Sequence, residues 1–335
     1  MKIGRIHLPF LFCLFLIPAQ LLQAAQVIKI ATLSPDGTSW MRAMRAAGDT
    51  IAKRSQGRVV LRFYPGGVMG NDQSVMRKIR AGQLQGGAVT IGALAGVDKD
   101  IEIYGLPFLF HDLREVDQVR ARMDTTLLQG LEKKGFIGFG FAEGGFAYFM
   151  SNRPLKTITD LQAGKVWAPE GDKISLTGFE AVGVSPVTLP ITDVLVALQT
   201  GLLDTVTSPP AGAIALQWHT RVKYLTEVPL LYTYGILVIS EQAFNKLSGQ
   251  DQSLVREVLG DTFKEINSQN RRDNEAALRA LRNQGIEFLQ PPPQDLAGWQ
   301  QSVESAQKQL VSQGYFNRDL VDKVRMILAE HRRGR

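Results

Sequence analysis

The apolar positions of this 335-residue chain switch several times between strand-like and helix-like spacing. Residues 27–31 (VIKIA) form a short apolar run that predicts a buried strand, and 58–64 (RVVLRFY), rich in β-formers, predicts a second. Between them Trp40, Met44, Ala47 and Ile51 fall at spacings of four, three and four. That stripe predicts a helix over 38–55, closed by Gly57. Pro65, Gly66 and Gly67 turn the chain, and Asn71 or Asp72 is placed to cap a helix running to Arg80. Residues 86–93 (GGAVTIGA) predict a third strand. Strand, helix, strand, helix, strand is the pattern of a parallel α/β unit with right-handed crossovers.

A second pattern begins near residue 136. FIGFGFAEGGFAYFMSN reads as extended segments interrupted at Gly140 and at Gly144 and Gly145. A short strand over 165–168, a helix over 173–182 and an extended SPVTLP at 185–190 follow. Thr192 is placed to cap a helix that Gly201 ends, 203–207 predicts another strand, and 232–240 (YTYGILVIS) a long apolar one. Beyond Ser240 the pattern is almost wholly helical. Ser248, with Asp251 three residues on, predicts a helix start, and few breakers follow before Asn283. A helix of about 33 residues reaches ~50 Å, more than one small domain is wide, so it is expected to lie across two. Gln290 and three prolines stop it, and two further helices follow. No internal repeat is visible.

Composition narrows the class. Apolar residues make up 44% and charged residues 21%, which fits a globular chain rather than a disordered one. Lys2 and Arg5, an apolar run of about 10 residues over 8–17, Pro18, and a small-residue cleavage point at Gln23, Ala24 and Ala25 form the pattern of a secretory signal peptide over 1–25. The run is too short for a membrane anchor, which needs ~20 residues. The one cysteine, Cys13, lies inside that leader, so the exported chain is expected to have none and to be indifferent to an oxidising compartment. The formal charge falls from +6 to +4 with the leader, both signs are interspersed, and a nucleic-acid partner is not expected. Nothing after the leader is long and apolar enough to span a bilayer.

The sequence offers no recognisable catalytic or metal set. The four histidines, His7, His111, His219 and His331, are far apart, and no HExxH pair exists. GGVMG at 66–70 sits between a strand and a helix but lacks the Lys-Ser/Thr of a phosphate loop, and GxGxxG and GxSxG are absent. No cofactor is implied. The residues alone thus describe an exported two-domain α/β protein, and a ligand receptor with a cleft between its domains fits better than an exported hydrolase.

Three stretches carry a more specific signal. The first is 63–94, FYPGGVMGNDQSVMRKIRAGQLQGGAVTIGAL; the second is LPFLF at 106–110; the third runs over 151–204 through SNRPLKTITDLQAGKVWAP, AVGVSPVTLP and ITDVLVALQTGLLD. ALQTGLLD at 197–204 is the most specific piece. With these the chain resembles the solute-binding proteins of tripartite ATP-independent periplasmic (TRAP) transporters, the DctP-type family. The resemblance implies a two-domain periplasmic-binding-protein (Venus flytrap) α/β fold with a long helix spanning both domains and a helical C-terminus. It implies a first domain over 26–150, to which part of 240–285 returns, a second over 151–239, and the long helix and C-terminal helices over 240–335. It also implies a periplasmic location, a small-molecule ligand in the cleft, and a membrane permease of a small and a large subunit as partner, with uptake driven by an ion gradient.

The sequence departs from the family where the ligand is usually held. The arginine that normally grips a carboxylate aligns with Trp167, a second arginine with Ala147, and the asparagine after the ALQxGxxD run with Ser208. Arg153 remains nearby, but its place in the family pattern is outside the cleft. A planar guanidinium suits a carboxylate; an indole suits a ring, a cation or an apolar chain. The ligand is therefore expected to be less acidic and more apolar than a C4-dicarboxylate, unless Trp167 plugs the pocket and another residue holds the acid. Other expected wall residues are Thr90, Ser34, Thr38, Trp40, Phe146, Tyr148, Thr207 and Ser208. Glu170 and Asp172 would repel a carboxylate if they faced inward and otherwise form a solvated loop; packing is expected for Trp218 and His219. The alternative functions are an organic-acid receptor with a re-sited clamp, a receptor feeding a sensor without transport, and, least favoured by the sequence, an exported enzyme.

Overall fold

A computed structural model describes residues 25–334; apart from Ala25, the leader predicted over 1–25 lies outside them. The chain opens with β1 (Gln26–Thr32), α1 (Ser39–Arg54), β2 (Val59–Tyr64), α2 (Asp72–Arg80) and β3 (Gly86–Thr90), then α3 (Leu113–Glu132) and β4 (Phe136–Ser151). Next come α4 (Ile158–Gln162), β5 (Trp167–Pro169), α5 (Lys173–Ala181), β6 (Val187–Leu189), α6 (Val194–Thr200), β7 (Thr205–Ser208), α7 (Pro210–Ala215) and β8 (Tyr224–Thr226). β9 (Leu231–Ser240) leads back through α8 (Glu241–Phe244) into α9 (Gly249–Asn283), β10 (Glu287–Leu289), α10 (Pro293–Ser312) and α11 (Arg318–Arg333).

Most of these elements form where local chemistry asks for them. Thr38 caps α1 by accepting from the Met41 amide, Asn71 caps α2, and Ser248 caps α9 by accepting from Asp251. Gly201 ends α6 in the left-handed conformation, φ +74°. Three expectations need correction. The third strand stops at Thr90, and Ile91–Leu94 coils into a 3-10 turn. Thr192 does not cap α6: it donates to the Asp193 carboxylate within a 3-10 turn, Ile191–Asp193, that leads into the helix. The sequence reading also passed over α3, although Asp112 caps it and Val116, Val119, Met123, Leu127 and Leu131 form its buried stripe.

β1 pairs in parallel with β2 and β3, β3 pairs antiparallel with β9, and β9 antiparallel with β4, which also pairs with β7 and β8. The sheet thus runs β10-β8-β4-β9-β3-β1-β2, and the single long β4 belongs to both of its ends. Each end has its own core. Around β1, β3 and β9, one face packs Tyr104, Val119 and Val324 and the other packs Met44, Leu259 and Phe263. Around β5, β7 and β8, Trp167, Leu198, Trp218 and Leu281 form one cluster, and Phe149, Phe179 and Trp299 another. α9 serves both: Leu254 to Ile266 lie in the first lobe's core, and Leu278 and Leu281 in the second's. At 1.5 Å per residue its 35 residues reach about 50 Å, as the pattern predicts.

β4 is irregular at its centre. Its register against β9 slips between Gly138 and Phe141 and again between Glu143 and Gly145, which leaves backbone groups without ladder partners. α9 supplies them. Asn267 donates to Phe141 O at 3.1 Å and accepts from Glu143 N at 2.7 Å; Asn270 donates to Glu143 O at 2.5 Å; Asn274 donates to Gly144 O at 2.8 Å. Gly145 has φ +98°, and a Cβ there would sit 2.7 Å from Asn274 Nδ2, so this close approach requires glycine. Between them, Glu143 is 1% exposed and takes Arg271 Nε at 2.9 Å and Nη2 at 2.8 Å, and the Tyr232 hydroxyl at 3.1 Å. Arg271 also grips Asp117 at 2.6 Å. Arg271→Ala leaves buried Glu143 with only the Tyr232 hydroxyl and Arg120 Nη1 at 4.0 Å, so urea unfolding should register a loss of about 3 kcal/mol. A loss under about 1 kcal/mol would mean that the ion pair is not what holds the strand centre.

Candidate functional site

β4 and β9 form the floor of a cavity of about 530 Å³ between the lobes. Ala142, Glu143, Gly144 and Ala147 contribute from β4, and Tyr232 to Leu237 from β9. The first lobe adds the β1 end (Thr32, Leu33, Ser34), Trp40, the start of α2 and the β3 end; the second adds Trp167, Glu170, Asp172, Thr207, Ser208 and Trp299. The lobes also touch at the rim, where Asn71 Nδ2 lies 3.4 Å from Glu170 Oε2.

Of the expected wall residues, Trp167, Ala147, Thr90, Ser34, Trp40, Thr207, Ser208 and Glu170 line this cavity; Thr38, Phe146 and Tyr148 do not. Thr38 is spent on its helix, bonding Pro35 O and Met41 N, with Ser34 Oγ at 3.0 Å. Phe146 packs edge-on against Tyr232, and Tyr148 against the second lobe's core, because neighbours of Ala147 in a strand point to the other face. Trp167 is 4% exposed, its indole N–H donates to Leu189 O at 3.0 Å, and its ring stands edge-on to Trp218 at 5.1 Å. It is therefore both a wall and a core residue and brings no free polar group. Arg153 is absent from the wall and is held by Asp204 and Asp160 O. His219 bonds Ala213 O.

The electrostatics of the wall are one-sided. Its acidic side chains are Asp72, Glu102, Glu143, Glu170 and Asp172, and among the described residues no Lys, Arg or His lines it. Glu143 is neutralised by Arg271. Burial raises Asp72 above the usual carboxylate range, against the Thr90 hydroxyl and amide, which bond its Oδ2 at 2.6 and 2.9 Å. Burial likewise raises Asp172, although Ser175 bonds it twice. Glu102 is pushed up to about 8, by burial first and the charge of Asp172 as well, against the Tyr315 hydroxyl at 2.6 Å. Glu102 comes from the first lobe and Asp172 from the second, so the cleft holds carboxylates from both sides.

Sequence reading missed Asp72, Glu102 and Trp299 as wall residues. Asp72 was visible only as a cap, and Trp299 only as one of four scattered indoles. Phe108 was hidden in LPFLF. It adopts a left-handed φ of +56°, which no pattern announces, and this carries its ring onto the second lobe's core from the first lobe's chain.

A long strand shared by two lobes, a helix spanning both and a deep cavity on the crossing strands define a bilobal solute-binding protein. The comparisons with known proteins agree. The model of the bacterial extracellular solute-binding protein family 7 (DctP) matches residues 30–313, and the chain belongs to that family, the solute-binding proteins of TRAP transporters. The C4-dicarboxylate-binding periplasmic protein DctP of Rhodobacter capsulatus is 24% identical over 252 residues, 74% of this chain and 75% of that protein. The sialic acid-binding periplasmic protein SiaP of Vibrio cholerae is 23% identical over 295 residues, 86% and 89% of the two. The crystal structure of a sugar acid binding protein from Advenella mimigardefordensis, in complex with galactonate, superposes with a TM-score of 0.84 at 20% identity. That match covers 91% of this chain and 98% of that one. Among the described residues no helix is long and apolar enough to cross a membrane.

Glu102 makes stability pH-dependent. Its folded pKa of about 8 lies above the ordinary 4.5, so folding takes up a proton between those values. The stabilisation is complete below pH 4.5 and is lost as pH rises through 8. Glu102→Gln keeps an acceptor for Tyr315 and removes the titration. Thermal melts should therefore show the variant gaining on the parent as pH rises from 5 to 9. Parallel curves would place the Glu102 carboxyl in an ordinary aqueous setting.

Proposed function

We propose that this protein is a periplasmic receptor that captures a small organic ligand in the cleft and delivers it to a two-subunit TRAP permease. The leader over 1–25 directs export. The domains divide near 26–150 and 151–239, with β4 and β9 as hinge strands and 240–335 buttressing both. The ligand touches both lobes only when they are closed, and so shifts the population to the form that the permease accepts. No catalytic role is proposed.

The ligand is less acidic and more apolar than a C4-dicarboxylate. One observation carries this: among the described residues the wall has five acidic side chains, one of them paired with Arg271 from outside the wall, and no Lys, Arg or His of its own. Taking a carboxylate out of water without a cationic partner costs several kcal/mol, and the wall acids add repulsion. The apolar surface comes from Trp40, Trp167, Phe108 and Trp299. Relatives named for C4-dicarboxylate or solved with galactonate would favour an organic acid here too, but that reading needs a cation to enter the cleft. Arg153 is committed to Asp204. A receptor for a sensor system uses the same cleft and differs only in the partner.

Titration calorimetry should give no binding of succinate or malate tighter than about 1 mM. Native mass spectrometry of protein purified from its own host should release an apolar or aromatic compound. A dicarboxylate released instead, or micromolar succinate binding, contradicts the reading.

A further inference from the structure

Three buried side-chain polar atoms are without a hydrogen-bond partner among the described residues: Asp72 Oδ1, Thr207 Oγ1 and Trp299 Nε1. All three residues line the cleft cavity. Native proteins leave few such atoms, because each costs the desolvation of a polar group. Each wants a partner that the described residues do not supply. Asp72 belongs to the first lobe's wall, through α2; Thr207 and Trp299 belong to the second's, through β7 and α10.

The chemistry of the three atoms defines what fits. Asp72 is 8% exposed. Both donors of Thr90 converge on its Oδ2, which fixes the side chain and leaves Oδ1 buried without a partner. A buried carboxylate oxygen is best matched by a positively charged N–H. Among the described residues no cation lines the wall to provide one. Trp299 offers one neutral N–H, which suits a neutral acceptor and is too little for a carboxylate surrounded by acids. Thr207 can serve either way.

We infer that the cleft recognises an organic cation, an ammonium or protonated amine on an apolar body, whose charge is held by Asp72 and whose neutral polar end is held by Trp299 and Thr207. This deepens the proposed function and rests on its cleft. It also gives closure a cause: one molecule answers unpartnered atoms on both lobes, so binding draws the lobes together.

The test uses the exported chain and two matched series: phenethylammonium, phenethyl alcohol and hydrocinnamate, then hexylammonium, hexanol and hexanoate. Calorimetry or thermal shift should rank the ammonium first in each series, by at least about tenfold over the alcohol, with the carboxylate weakest. Asp72→Asn keeps the shape and should abolish the preference for the ammonium over the alcohol. If Asp72→Asn does not fold, the ranking by the unmodified protein still decides. A carboxylate ranked first overturns both the inference and the apolar reading. Alcohol and ammonium bound equally, or an unchanged preference in Asp72→Asn, overturns the inference and leaves the apolar cleft standing. If no member of either series binds, both fall.

Discussion

The grip of α9 on the broken centre of β4 is the constraint on which the rest depends. A strand of sixteen residues that belongs to both ends of one twisted sheet does not keep one register throughout. Where it slips, its amides and carbonyls need other partners, and in a buried place each unpaired group is costly. Side-chain amides suit this task because each carries both a donor and an acceptor. Asn267, Asn270 and Asn274, spaced three and four apart, face β4 along one stripe of the helix, with Arg271 holding Glu143 between them. Asn274 also accepts from Ala211 at 3.1 Å, which ties the second lobe to the same stripe. The irregular stretch is the floor of the cavity, so the groups that fix the strand centre also fix that floor.

From that floor the lobes raise walls of one sign. Glu143 is paired with arginine, but no described residue lining the cavity is a cation, and burial keeps Asp72, Glu102 and Asp172 above the ordinary carboxylate range, Glu102 even against the charge of Lys99. A cavity of this kind disfavours anions twice, through repulsion and through the lack of any partner for their charge. The family fold thus carries, in this chain, a cleft of one-sided charge. Fold and ligand class are separable because the first is set by the crossing strands and α9, and the second by a few wall side chains.

Much of the fold was legible. Capping residues and apolar spacing marked α1, α2, α5 and α9 and the strands of the first lobe, because those signals are local. The resemblance through ALQTGLLD and its neighbours supplied the architecture, and Trp167, Ala147 and Ser208 all lie on the cavity wall. The rest was not local. Asp72 looks like any helix-start acid until Thr90 folds over one of its oxygens. Trp299, on a C-terminal helix, reaches the cleft only through tertiary packing. The register slips of β4 were visible as glycine interruptions, but α9's role in mending them was not, since polar residues on a long helix read as a solvated face.

The most direct test of the account is a crystal structure of the protein purified with its own ligand from its host. The account predicts density between the lobes for an apolar molecule, with a nitrogen against Asp72 Oδ1 and its other end at Trp299 and Thr207. A carboxylate in the cleft, paired with an arginine that has swung in to meet it, would contradict the account.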